Sequence, residues 1–174
     1  VMDVSTADEQ RLNEQQAAFF RPQFESAQNI QGPVWFAFHR PIWAVEFFIN
    51  GKPAGDNKTL AAAAKGALSP NVQAILSGHH HVFEVVKYEN DLPLQIISGH
   101  GGNELSLDVP DPVGQEVNGE KIVAGIARPG IFGFAMIERA RDASTNTTWT
   151  LTGYDRRGQS IGSCKLEGRN LTCP

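Results

Sequence analysis

The stretch ILSGHHH at residues 75–81 joins a short apolar run to a glycine and three consecutive histidines. An apolar run of this length is typical of a buried strand, which we expect over residues 71–76. In an extended segment, the side chains of His79 and His81 would point to one side and that of His80, a bystander, to the other. Two imidazoles on one side can bind a metal, so the stretch predicts a strand that ends in a binding site.

Two further apolar runs end in the same way. The run VWFAF at residues 34–38 is followed by His39, and LQII at residues 94–97 is followed by a Ser-Gly pair and His100. Because ligands bind at the carboxyl edge of strands in open α/β sheets, we expect these histidines to gather at one edge. Such imidazoles can ligate one or two divalent metals, with Glu84 orienting one of them. A histidine at a strand end can equally be a hydrogen-bonded structural residue, so the residues alone leave both interpretations open.

The other segments divide the chain into a mixed part and an all-strand part. Capping, proline and alanine signals predict helices from residue 6 up to an interruption at Pro22, at residues 23–28 and at residues 59–68. Polar and glycine-rich composition predicts loops at residues 51–57 and 108–121. Further strands are expected at residues 1–5, 82–88, 132–138, 147–154 and 160–166. Strands that alternate with helices and then continue alone predict one α/β (α+β) domain over residues 1–174.

Composition excludes several classes of function. The chain has 174 residues, 41% of them hydrophobic, and a net charge of −4, which argues against a general nucleic-acid-binding surface. The apolar stretches, such as residues 131–137, are too short to span a membrane. No phosphate-binding P-loop, dinucleotide fingerprint or Gly-x-Ser-x-Gly elbow occurs. The first residue is Val1 rather than Met, so we expect a processed chain or a fragment.

The two cysteines lie close together near the end of the sequence. Cys164 and Cys173 flank a segment in which Gly168, Arg169 and Asn170 suit a tight turn, so the thiols would face each other across a short hairpin. A disulfide is favoured over two free thiols in a frayed hairpin, because an exposed free pair is a liability. A disulfide would place the protein in an oxidising compartment, either secreted or periplasmic.

The order of these motifs resembles that of the calcineurin-like metallophosphoesterases. The resemblance rests on His39-Arg40-Pro41 after the strand at residues 34–38, on Gly-His-His-His at residues 78–81 and on the Gly-rich strand end at residues 96–102. The purple acid phosphatase branch is most similar, because residues 82–84 continue as in that branch. The resemblance implies two mixed sheets packed face to face, with helices outside and two metal ions at the strand ends.

The resemblance also implies a reaction and a set of ligands. A metal-activated hydroxide would hydrolyse a phosphoric ester at a two-metal site, with zinc, manganese or iron as the metals. His39 and His79 would ligate one metal and His81 the other, while Arg40 would shape the adjacent loop. For His100 the family offers no role, and we expect it at the rim of the site.

The sequence departs from the family in one large respect. The family's Asp-x-His segment, its metal-bridging Asp and its Asn-His segment have no counterpart here. We therefore expect the C-terminal half of such a domain, inactive alone and paired with an N-terminal half-domain or with another copy of itself. The alternative is a non-catalytic metal-binding or assembly module that kept the fold without the complete site.

Overall fold

In the part of the chain that the structure describes, two β-sheets pack face to face, and two α-helices cover the far side of the larger sheet. The computed structural model describes Val4 and residues 11–45, 47–49, 52–54, 57–140 and 148–174. In these residues the larger sheet has six strands and the smaller has four, with a separate two-stranded hairpin. The predicted α/β class with two sheets is confirmed, but the smaller sheet is wholly antiparallel and not mixed as predicted.

Helices and strands alternate in the first part of the chain, and only strands follow after α2 in the described residues. The α-helices are α1 (Glu14–Glu25) and α2 (Lys58–Ala64), and a 3₁₀ turn covers Ser26–Asn29. The strands are β1 (Val34–Ala37), β2 (Phe47–Ile49), β3 (Lys52–Ala54), β4 (Val72–Ser77), β5 (Phe83–Tyr88), β6 (Leu94–Ser98), β7 (Glu116–Val117), β8 (Glu120–Arg128), β9 (Gly133–Arg139), β10 (Thr148–Asp155), β11 (Ser160–Glu167) and β12 (Asn170–Thr172).

The six-stranded sheet has the order β1-β4-β6-β5-β8-β7. Strands β1, β4 and β6 run parallel, with Phe36 opposite Ile75 and Ile75 opposite Gln95. Strand β5 is antiparallel to both β6 and β8. The carboxyl ends of β1, β4 and β6 therefore meet at one edge of the sheet, as the sequence predicts.

Each face of this sheet is covered, which explains the continuous apolar runs in its strands. The inner face packs against the antiparallel sheet β12-β11-β10-β9, where Leu94 and Ile96 of β6 contact a cluster that includes Leu151 and Leu166. The outer face packs against α1 and α2. Because side chains alternate along a strand, Gln95 lies on the outer face between two inward-facing residues.

Helix α1 differs from the prediction because Pro22 lies inside it rather than interrupting it. Its start is fixed by Asn13, whose side chain accepts a hydrogen bond from the Gln16 backbone N–H. Pro22 cannot donate to the carbonyl of the preceding turn, but Phe20 and Phe24 on either side of it are buried. Tertiary packing therefore lets the helix continue past the proline. Residues 23–28 are helical as predicted, but they belong to the end of α1 and to the 3₁₀ turn and not to a separate helix.

Two predicted loops contain strands, and two other predicted segments lie outside the described residues. Strand β3 occupies part of the predicted loop at residues 51–57 and pairs with β2. The predicted loop at residues 108–121 ends in β7 and the start of β8, which pairs with β5 over much of its length. The charged start and central glycine of β8 gave little strand signal, so pairing rather than propensity stabilises it. The capping box at residues 6–9 and the strand predicted at residues 1–5, apart from Val4, lie outside the described residues.

The predicted disulfide is present in the structure, where Cys164 is bonded to Cys173 across the β11–β12 hairpin. Gly168 in the turn has φ of 60°, a left-handed conformation that favours glycine. Closing a loop of this length stabilises the fold by about 2–3 kcal/mol on the chain-entropy model. The bond is compatible with the oxidising compartment predicted above.

Arg169 in the same turn attaches the hairpin to the larger sheet. Its Nε donates to the carbonyl oxygen of Val72 at 2.8 Å, and its Nη2 donates to that of Ser69 at 2.8 Å. Its Nη1 also pairs with the Asp91 carboxylate at 3.0 Å. The β11–β12 turn thus holds the amino end of β4, at the opposite end of the strand from the histidines.

Gly99 after β6 is a position where a side chain has no room. A Cβ atom there would collide with the backbone carbonyl of His80, whereas a Cβ at Gly102 would meet nothing within 4 Å. We expect Gly99→Ala to lower the free energy of unfolding by about 2 kcal/mol or more, because the obstructing atoms are backbone. Gly102→Ala is the matched control, with an expected change within about 0.5 kcal/mol. Urea denaturation of both variants measures the difference, and equal midpoints would contradict the close approach.

Candidate metal centre

Histidines follow the three parallel strands at the edge where these strands end. His39 lies two residues after β1, His79 two residues after β4 and His100 two residues after β6. Because β1 and β4 are neighbours, the loops that carry His39 and His79 lie side by side. The Gly78 backbone N–H donates to the His39 carbonyl oxygen at 3.1 Å and joins the two loops directly.

The structure brings the imidazoles of His39 and His79 into contact. Nδ1 of His79 is 3.1 Å from Nε2 of His39, and the ring centroids are 4.9 Å apart with the planes inclined at 71°. Without a metal, one nitrogen donates a hydrogen bond to the other. His39 is exposed and His79 half-buried, so a ligand from solvent can reach the pair.

The backbone at His79 has a φ of 66°, an uncommon value for a residue other than glycine. Two tight turns follow, in which the His80 N–H donates to the Gly78 carbonyl at 2.8 Å and the Val82 N–H to the His80 carbonyl at 2.9 Å. The predicted extended arrangement, with His79 and His81 on one side of a strand, is therefore wrong. The left-handed backbone conformation of His79 instead directs its imidazole towards His39.

His81 is not gathered into a larger set of ligands. It is partly exposed, and its Nδ1 lies 4.0 Å from Oε2 of Glu104. Within the part of the chain that the structure describes, no group of three or more His, Cys, Asp and Glu side chains is arranged to hold a metal ion. Of the three predicted ligands, only His39 and His79 are in contact, and His81 lies apart from them.

His80 lies under the pair and is buried. Burial, followed by the charges of His79 and His81, lowers the pKa of His80 from 6.5 to about 3. A neutral, buried imidazole at this position is a structural group, which agrees with the bystander role expected for it. Its backbone is also the surface that Gly99 approaches closely.

His100 is buried rather than at the rim of the site, contrary to the prediction. Its ring lies 5.6 Å from that of Phe83, and its carbonyl oxygen accepts a hydrogen bond from the Gly133 N–H at 2.9 Å. Phe83 belongs to β5 of the larger sheet and Gly133 to β9 of the smaller one, so His100 lies in the seam between the two sheets. Burial lowers the pKa of His100, and hydrogen bonding with the backbone at Phe134 and Tyr154 opposes that shift.

Arg40 lies in the segment that follows His39, and Glu84 is hydrogen-bonded to that segment. Arg40 is half-buried beside His39, at the start of a buried segment that runs from residue 41 to residue 45. Glu84 was expected to orient a histidine, but its Oε1 accepts a hydrogen bond from the backbone N–H of Val45 at 3.2 Å. Its carboxylate therefore attaches the segment that follows the His39 loop to β5.

The sequence reasoning missed Gln95, which the structure places beneath the two histidine loops. Its side chain is fully buried and hydrogen-bonded to groups before His79 and after His39. The available signal was a single amide inside the apolar run at residues 94–97. A buried polar side chain in such a run needs partners, and its partners here belong to the site.

Comparisons with known proteins assign no family to this chain, so the site is interpreted from its geometry. A scan of protein-family models and a search of curated proteins found no match to this chain. Of the helices in the described residues, none has the length and apolar character required to cross a membrane.

The buried imidazole of His100 predicts a loss of stability in acid. The unfolded chain binds a proton near the ordinary imidazole pKa of about 6.5, while the folded chain binds it at lower pH. The free energy of unfolding should therefore fall as the pH drops below about 6.5, by up to about 1.4 kcal/mol per pH unit for this one group.

His100→Gln removes the titrating group but keeps an uncharged side chain that can hydrogen-bond to the backbone. We expect urea denaturation of this variant to show a shallower decline between pH 6.5 and pH 5. Between pH 7.5 and pH 8.5 the two slopes should coincide, because the imidazole is neutral in both states of the wild type. Parallel curves at all these pH values would refute the role of His100.

Proposed function

We propose that this chain carries part of the metal site of a metal-dependent phosphoesterase, with His39 and His79 as ligands of one metal ion. The observation that carries this proposal is the 3.1 Å separation of the two imidazole nitrogens at the shared carboxyl edge of β1 and β4. The resemblance to the calcineurin-like metallophosphoesterases supplies the reaction, the hydrolysis of a phosphoric ester. It also supplies the second metal and the assignment of His81 to it.

The separation of the nitrogens fits two ligands of one metal. Nitrogens bound to zinc at about 2.0–2.1 Å lie about 3.4 Å apart in tetrahedral geometry and about 2.9 Å apart at a right angle. The observed 3.1 Å lies between these values. The two nitrogens can therefore bind one ion without a large change in their separation, once the rings turn to direct their lone pairs at it. Imidazole suits zinc, manganese and iron, so the pair does not select among them.

The two imidazoles supply fewer ligands than such a site requires. Catalytic zinc sites hold three protein ligands and an open position. When bound, the metal would polarise the phosphoryl oxygen and activate a water molecule as hydroxide. His39 and His79 would fix its position at the sheet edge. The proposal therefore includes further ligands from an N-terminal half-domain or a second copy of the chain.

A non-catalytic metal-binding or assembly module is the second candidate. It is favoured by the separation of His81 from the pair, since a two-metal reaction needs ligands for both ions. The two candidates share the His39–His79 site and differ in hydrolysis, so one set of variants distinguishes them.

Zinc binding by calorimetry on the purified chain tests the site. His39→Ala and His79→Ala should each weaken zinc binding by about tenfold or more, because each removes one of two ligand nitrogens. His80→Gln serves as the matched control, since it changes a neighbouring imidazole that is buried and takes no part in the contact between His39 and His79. Its zinc affinity should match that of the wild type.

Hydrolysis of a chromogenic phosphomonoester and a phosphodiester, with each metal added in turn, tests the reaction. Metal-dependent turnover that disappears in His79→Ala supports the phosphoesterase. Zinc binding without turnover, even with an N-terminal half-domain supplied, favours the non-catalytic module. Wild-type affinity in both His39→Ala and His79→Ala would overturn both candidates.

A further inference from the structure

Gln95 on β6 is a fully buried amide on the outer face of the six-stranded sheet. Its Oε1 accepts a hydrogen bond from the backbone N–H of Ile42 at 3.1 Å. Its Nε2 donates to the carbonyl oxygen of Ile75 at 3.3 Å and to Oγ of Ser77 at 3.2 Å. Both protons of the amide and its oxygen are therefore used, which makes its orientation well determined.

These partners belong to the two segments that carry the facing histidines. Ile42 lies three residues after His39, and Ser77 lies two residues before His79. A single side chain on a third strand thus connects the loop after β1 with the end of β4. The hydrogen bond from the Gly78 N–H to the His39 carbonyl joins the same two loops next to the histidines. Gln95 joins them a second time, further from the imidazoles, through Ile42 and Ser77.

We propose that Gln95 is a positioning residue that sets the distance between the imidazoles of His39 and His79. The amide is planar and its three hydrogen bonds converge from two segments, so moving either segment breaks at least one bond. In a buried environment the loss leaves an unsatisfied polar group, which opposes the movement. This inference rests on the proposed function for its effect on metal binding, but the spacing of the rings is measured without metal.

Tyr88 provides a matched comparison. Its hydroxyl is buried and donates to the Trp43 carbonyl oxygen at 2.7 Å, so it holds the same segment after His39. Strand β5, which carries Tyr88, does not border β4, so this bond leaves the two histidine loops unconnected. Tyr88→Phe therefore removes one buried hydrogen bond from the segment but keeps the link through Gln95.

Nuclear magnetic resonance of the metal-free protein tests the inference directly. Ring centroids 4.9 Å apart place protons of the two imidazoles close enough for a nuclear Overhauser effect. Gln95→Met keeps the length of the side chain but removes its donor and acceptor groups. We expect the contact between the rings to be lost in Gln95→Met and retained in Tyr88→Phe. A contact retained in Gln95→Met, lost equally in both variants or absent from the wild type overturns the inference.

Zinc affinity provides the second measurement. Gln95→Met should bind zinc about tenfold more weakly or worse, as expected when a group that orients ligands is removed, while Tyr88→Phe stays near the wild type. Ser77→Ala removes one of the three bonds and decides the question if Gln95→Met fails to fold, with a smaller loss of the ring contact expected. If the wild type binds no zinc, the proposed function fails, and the contact between the rings still decides the role of Gln95.

Discussion

The parallel pairing of β1 with β4 is the constraint on which the candidate site depends. Parallel neighbours deliver their carboxyl ends to the same edge, so the residues that follow them must share a small volume. The His39 and His79 loops lie there side by side, and the Gly78–His39 backbone bond joins them. The left-handed backbone at His79 completes the approach of the rings. An antiparallel pairing would have placed these histidines at opposite ends of the sheet.

Much of the fold was predictable from the sequence because burial on both faces leaves a simple pattern. The apolar runs that became β1, β4, β5 and β6 could be recognised without knowledge of their neighbours, and each ended close to where the pattern predicted. Strand β8 and the proline within α1 could not be predicted, since both depend on partners distant in sequence. Pairing with β5 stabilises β8 despite its weak strand propensity, and burial of Phe20 and Phe24 stabilises α1 despite its proline.

The candidate site was predicted less completely than the fold. Composition and strand order placed His39 and His79 at one edge, but period-two alternation failed for His79 and His81 because the chain leaves the strand at Gly78. His100 follows the same sequence pattern as the other two and yet lies in the seam between the sheets. Which way a side chain turns after a strand depends on the next backbone angle, and sequence pattern carries little information on it.

The attachment of the terminal hairpin to the start of β4 has a consequence for folding during synthesis. Strand β4 lies next to the edge strand β1 in the larger sheet, and Arg169, which holds its amino end, is synthesised 97 residues after Val72. The inner face of that sheet also stays uncovered until β10, β11 and β12 emerge. The strands that carry the histidines therefore keep an apolar face exposed while the later strands are synthesised. Exposed apolar surface of this kind is prone to aggregation and is what chaperones bind.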